Sequence, residues 1–220
     1  MKNRELSFED SEFVRFENPE GNGLRVLFVG NSITWHECKP EIGWFHEWGM
    51  AASSREKDYV HLCYEHIKAK DPEAVLGICR AALWERGYLH GKEILSNYEN
   101  ARRFHAQLII VKLSANTPYE NFDEQSYGRE FAEFMSFLNP SGQAKMIIAS
   151  EYYHHPAENS MREFAEVNGY PFCVLSDLGD REELKALGLF EHEGVANHPG
   201  DQGMRKIAER ICGILEESIL

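Results

Sequence analysis

Three things are in short supply in this chain. Basic residues are the first: 23 Lys and Arg stand against 36 Asp and Glu, a formal net charge of -13. Phosphate backbones need basic surface, so a nucleic-acid partner is not expected. Cysteine is the second. Cys38, Cys63, Cys79, Cys173 and Cys212 are scattered, odd in number and include no CxxC pair, which argues against a disulfide scaffold or a zinc site and for reduced thiols in the cytoplasm. Long hydrophobic runs are the third. No stretch approaches the roughly 18 apolar residues of a membrane span, and the opening MKNRELSFEDSEF has no apolar core of a signal peptide. Neither a membrane association nor a secretory leader is expected.

What is present suits one globular domain. The chain has 220 residues, and 43% of them are apolar, enough to fill a substantial core. Residues 1–23 are mostly polar and end in the turn-forming Gly21-Asn22-Gly23, so they read as a lead-in to a single domain over 24–220. Short apolar runs at 24–29, 74–79, 108–113, 146–149 and 172–175 predict strands. Between them, apolar residues recur at helical spacing around 60–67, 94–101, 131–138 and 161–165, and again at 204–215. The stretch 35–52 reads as a long loop. Strands alternating with helices, with continuous apolar strands, predict a three-layer α/β sandwich around a parallel sheet of about five strands.

In such sheets ligands bind beyond the carboxyl ends of the strands. The first strand runs into Gly30-Asn31-Ser32, so Ser32 would stand exposed at that edge, and Gly30 would let the backbone turn tightly. If Ser32 also begins a helix, its N–H would face a developing oxyanion. The same triplet also suits a simple helix N-cap. A serine nucleophile needs a base. Of ten histidines, His198 in GVANHPGDQGM is the best placed, on a loop just before the last helix; a solvent-exposed loop histidine is the alternative.

Together these segments resemble the SGNH, or GDSL-type, hydrolase family. Gly30-Asn31-Ser32-Ile33-Thr34 is similar to its first block, usually Gly-Asp-Ser-Ile-Thr. Ser114-Ala115-Asn116 is similar to the third block, and HPGDQGMRKIAERI to the last. The three occur in the family's order and span nearly the whole chain. The resemblance implies a flavodoxin-like sheet and hydrolysis of an ester without a cofactor. It implies Ser32 as nucleophile, His198 as general base, and Asn116 with the Ser32 N–H as oxyanion donors. Four positions depart from the pattern. Asn31 replaces Asp, a change in local hydrogen bonding. Ser114 stands where Gly is usual. The second-block glycine has no clear counterpart, Gly87 being one possibility. Val195 occupies the place of the acid three residues before the histidine. Glu193 or Asn197 would have to orient the ring in its stead, or a backbone carbonyl would do so in a Ser-His dyad.

Trp35, Trp44, Phe45 and Trp48 crowd the segment after the nucleophile. Aromatic faces suit sugar rings, which favours an acetylated carbohydrate as the small-molecule ester substrate, with Trp35, Trp44, Trp48 and Tyr152 as candidate contacts; packing of a long loop is the alternative. His36, Cys38 and His46 match no standard zinc spacing, so no metal is expected, and a metal-dependent hydrolase is the weakest reading. The missing acid leaves a second one: a weak or inactive carbohydrate-binding protein on the same fold.

Overall fold

Successive side chains along the central strands point to opposite faces, and this alternation builds two cores on one sheet. In a computed structural model, residues 8–90 and 92–218 are described. Six strands form the sheet: β1 Val14–Glu17, β2 Arg25–Gly30, β3 Val75–Arg80, β4 Leu108–Lys112, β5 Lys145–Ala149 and β6 Phe172–Cys173. Their order is β1-β3-β2-β4-β5-β6. All neighbours are parallel except β1 on β3. The five parallel strands therefore follow the doubly wound order, which reverses between β2 and β4.

Eight helices connect or cover the described strands: α1 Tyr59–Lys68, α2 Ala82–Gly87, α3 Lys92–Leu95, α4 Glu99–Arg103, α5 Glu124–Leu138, α6 Ala157–Asn168, α7 Glu193–Ala196 and α8 Asp201–Ser218. Leu27, Val29, Ile109, Val111, Met146 and Ile148 point to the face covered by α2 and α4–α6, where they meet Trp84, Phe131, Phe134 and Met161. Val26, Phe28, Leu108, Ile110 and Ile147 point to the other, against α1 and α8. Both faces are covered, which is why these strands read as unbroken apolar runs rather than alternating ones.

The expected strands are found, with three differences in detail. The polar lead-in supplies an edge strand: Val14 is fully buried and Phe16 packs on Phe104 at 5.1 Å, but four residues with one buried position leave no run to see. The last strand stops at Cys173, because the Leu175 and Ser176 N–H groups donate to Ser150 Oγ at 2.7 and 3.0 Å instead of to a ladder. The helix expected around 94–101 is broken into α3, a 3-10 turn and α4. Ser96 Oγ and Asn97 Nδ2 donate to the carbonyls of Glu93 and Ile94, a local alternative to helix bonding that serine and asparagine offer.

Candidate active site

Strand β2 ends at the sheet's switch point, and Ser32 lies two residues beyond it. No helix begins there. Residues 31–34 form one closed turn, in which the N–H groups of Thr34 and Trp35 donate to the Asn31 carbonyl at 2.9 and 3.0 Å. Gly30 is required for space rather than for an unusual φ: a Cβ there would overlap Thr34 Oγ1, which is held by the Tyr59 hydroxyl at 2.7 Å. The Ser32 carbonyl accepts from the Met50 N–H at 2.8 Å, tying the long loop to the turn. The Ser32 N–H has no acceptor among the described residues.

Ser32 Oγ lies 2.7 Å from His198 Nε2. The other ring nitrogen, Nδ1, is 2.7 Å from the carbonyl oxygen of Gly194. A carbonyl only accepts, so Nδ1 carries the proton and Nε2 presents its lone pair. Ser32 must then donate to Nε2. Burial lowers the His198 pKa to about 4, with nearby Lys112 adding to the effect and the Gly194 bond opposing it. The ring is therefore a neutral base at ordinary pH.

The local sequence explains this placement. Helix α7 is a single turn whose Val195 and Ala196 are buried, Val195 against a small cluster with Trp44, Met50 and Ala186. The turn directs the Gly194 carbonyl toward the ring four residues on. The loop is closed by the Ala186 N–H donating to the His198 carbonyl at 2.9 Å. Glu193 and Asn197 do not orient the imidazole. Asn197 Nδ2 instead donates to the Glu193 carbonyl at 3.0 Å, and the Glu193 side chain is exposed.

Asn116 follows β4, on the other side of the switch point. Its amide is gripped from both ends by consecutive residues of α2: Nδ2 donates to Glu85 Oε2 at 2.6 Å and Oδ1 accepts from Arg86 at 3.0 Å. This fixes which end is nitrogen and leaves one N–H of the amide uncommitted. Ser32, His198, Asn116, Ala82 and Arg86 line a common cavity of about 470 Å³. Ala82 opens α2, and its backbone N–H has no acceptor among the described residues. Gly87 is not in this wall; it sits at the far end of α2 against Ile94.

The aromatic residues expected at the substrate are elsewhere. Trp35, Trp44 and Tyr152 are buried. Trp48 stacks on His46 at 4.2 Å and, with Trp35 and Phe45, lines a neighbouring cavity of about 480 Å³. Trp35 and Trp44 have turned inward, where burial rewards large apolar groups most, while Phe45 remains exposed. His36 faces the Ser32 cavity, Cys38 is exposed, and among the described residues no three His, Cys, Asp or Glu side chains gather as a metal set. Sequence reasoning missed Ala82, Glu85 and Arg86, all on the short helix ALWERG, whose mixed composition shows no periodicity.

No protein-family model and no curated protein sequence matches the chain. Solved structures do match in fold. A family two carbohydrate esterase from Cellvibrio japonicus is 15% identical with a TM-score of 0.56, over 88% of this chain and 61% of that one. A two-domain esterase (CEX) active on acetylated mannans is 16% identical with a TM-score of 0.55, over 89% and 49%. Salicylyl-acyltransferase SsfX3 from a tetracycline biosynthetic pathway is 15% identical with a TM-score of 0.59, over 89% and 56%. The chain thus spans about half the length of the mannan esterase and little more of the other two. At these identities the likeness establishes the fold, an α/β sandwich shared with esterases and an acyltransferase.

Proposed function

We propose that the protein is a serine esterase of the SGNH type that removes a small acyl group from an ester, with an acetylated carbohydrate as the substrate class. The observation that carries this is the 2.7 Å contact between Ser32 Oγ and a His198 ring whose tautomer is fixed for accepting a proton. His198 Nε2 takes the Ser32 proton as Oγ attacks the ester carbonyl carbon. The oxyanion that forms receives the Ser32 N–H, the Ala82 N–H and the uncommitted N–H of Asn116. The imidazolium then protonates the leaving alkoxide, and a water activated by the same nitrogen releases the acyl group. An orienting carboxylate does two things in such sites: it sets the tautomer and it stabilises the imidazolium. The Gly194 carbonyl supplies the first and little of the second.

Arg80 and Arg86 share the cavity wall with Ile42, Met50 and Leu83, a mixed lining that suits a short acyl group on a polar alcohol better than a long chain. The carbohydrate class draws on the substrates named for the mannan esterase and the family two esterase. The inactive binding-protein alternative rested on the missing acid, and the Gly194 carbonyl on His198 Nδ1 with Ser32 Oγ on Nε2 speaks against it. No described helix is long and apolar enough to cross a membrane, and the five free cysteines favour a reducing, cytoplasmic setting.

Hydrolysis of p-nitrophenyl acetate by the wild type, Ser32→Ala, His198→Ala and Asn116→Ala tests the reading. Both first variants should lose turnover while keeping their circular dichroism, and Asn116→Ala should lose about 100-fold in kcat. Activity surviving in Ser32→Ala would remove the serine mechanism.

A further inference from the structure

A polar network lies buried under the nucleophile turn, and the attack on an ester does not by itself require it. Glu85, Glu151, Asn31 and Lys112 are all essentially without solvent contact. Asn31 sits between the two carboxylates. Its Nδ2 donates to Glu85 Oε1 at 3.1 Å and to Glu151 Oε2 at 2.5 Å. Its Oδ1 accepts from Lys112 Nζ at 3.3 Å, and Lys112 pairs with Glu151 at 2.5 Å. Glu151 also accepts the Tyr152 N–H at 2.7 Å. Glu85 in turn accepts the Ser114 N–H at 2.5 Å and Asn116 Nδ2 at 2.6 Å. Ser114 is held at a φ of 118°, a conformation that side-chain-bearing residues rarely adopt, and it is the residue that swings the chain toward Asn116.

We infer that Asn31 and Glu85 are positioning residues, an amide and a carboxylate that lock the Ser32 turn to the Asn116 arm, and that this network requires asparagine, not the aspartate usual in the resembled motif, at position 31. The inference rests on the esterase reading above. Its physical basis is a count of donors and acceptors. Position 31 faces two carboxylates, one ammonium and, at 3.4 Å, the Ile33 N–H, so it must offer two N–H groups and one oxygen that accepts twice. An amide offers all three; an ionised carboxylate offers oxygens alone. Aspartate would place a third carboxylate against two others, with one ammonium to balance them, in a site that water does not reach. Burial, then the proximity of Glu151, already pushes the Glu85 carboxyl above its usual range, despite the donors from Ser114, Asn31 and Asn116. Glu85 does not touch the cavity; it acts through Asn116, leaving one amide N–H for the oxyanion, and through Asn31, which closes the turn bearing Ser32.

The test compares the full-length wild type, Asn31→Asp, Glu85→Gln and the double variant Asn31→Asp with Glu151→Gln. In the double variant, the new amide at position 151 offers an N–H to the new carboxylate at position 31 and an oxygen to Lys112, and the number of charges is restored; the contact of position 31 with Glu85 stays carboxylate against carboxylate, so the rescue is partial. Turnover of p-nitrophenyl acetate at pH 7 should fall by about 100-fold in kcat for Asn31→Asp and for Glu85→Gln, the loss expected from one misplaced oxyanion donor, with KM changed little. The double variant should recover at least about tenfold of the Asn31→Asp loss, a rescue that a merely space-filling role for Asn31 would not give. Thermal unfolding supplies a readout independent of turnover. The melting temperature of Asn31→Asp should lie below the wild type at pH 7, the gap should narrow as the solution is made acid and a carboxyl of the cluster gains a proton, and part of the loss should be recovered in the double variant. Wild-type kcat and melting temperature in Asn31→Asp would overturn the proposal, as would a double variant impaired as severely as the single one. A wild type without esterase activity would overturn the functional reading alone, and the melting temperatures would still decide whether the network demands asparagine. Should Asn31→Asp fail to fold, folding of the double variant supports the donor count and its failure overturns it.

Discussion

The acid limb of the pH profile is the sharpest consequence of the His198 environment. Only the neutral imidazole can take the Ser32 proton, so activity follows the fraction of His198 without a proton. Its pKa is lowered to about 4 by burial, with Lys112 assisting. Because the folded value lies below the ordinary value of about 6.5, the base stays competent as the solution is made acid, and activity is lost only as pH falls through about 4. At pH 5.5 a histidine of ordinary pKa would be about 9% neutral, and one at 4 about 97%, a roughly tenfold difference in kcat/KM relative to the plateau. The assay is kcat/KM for p-nitrophenyl acetate from pH 4 to 8, with product read at the isosbestic wavelength of nitrophenol or by pH-stat. The profile should be nearly flat from pH 7 to 5.5. A limb with its midpoint near 6.5 would refute the reasoning, because it would mean that burial does not disfavour the charged ring in solution. Stability carries the same sign: below pH 6.5 the unfolded chain binds the His198 proton more readily than the folded one, so this residue weakens the fold progressively from 6.5 down to about 4.

Two further outcomes follow from the packing and charges around the site. Gly30→Ala should lower the urea-unfolding free energy by about 1–3 kcal/mol, the usual cost of overpacking, and depress turnover with it, because Thr34 Oγ1 must leave the space beside β2 and the Tyr59 hydroxyl; an unchanged midpoint would show that the turn relaxes freely. For His61, burial opposes the charge, but Asp58 and Glu17 outweigh it and raise the pKa to about 9, while His61 and Arg55 lower Glu17 to about 2 against its own burial. The stability of the wild type over His61→Gln should be fully present at pH 6.5 and fade as pH rises through about 9, and the Glu17 contribution should fade below pH 4.5 toward 2; urea unfolding across this range that shows a constant difference would remove the ion-pair account.

The sheet and the serine–histidine meeting were legible because both depend on local signals. A buried parallel strand writes itself as an apolar run, and its end writes itself as Gly-Asn-Ser; a loop before an amphipathic helix is marked by His-Pro-Gly. Position relative to the sheet edge then follows from topology. The wall around these residues was not legible, because it is assembled from segments with no common pattern. Glu85 reads as one more charge in ALWERG. Its meaning comes only from donors 54, 29 and 31 residues away, Asn31, Ser114 and Asn116. The tryptophans pose the opposite problem: their nearness to Ser32 in sequence was plain, but nearness does not say which way a side chain points, and Trp35 and Trp44 turned in while Trp48 stayed half-buried in the wall of the neighbouring cavity.

Val195 shows why a departure from a motif has to be read in space. By spacing it occupies the acid's place, and by chemistry it cannot orient a histidine. In the structure it anchors α7 in the cluster around Trp44 and Met50, and that anchoring places the Gly194 carbonyl 2.7 Å from Nδ1. The orienting function has moved from a side chain to the backbone of the preceding residue, and the side chain has become the packing that holds the backbone there. Asn31 follows the same logic from the other side of the site. Reading it as a weakened aspartate misses that two carboxylates surround it, so that the amide is the group the surroundings demand. In both places a residue that looks like a loss against the motif supplies what its neighbours in space require, and the lowered pKa of His198 together with the donor count at Asn31 turn that statement into measurements on two different atoms of the same site.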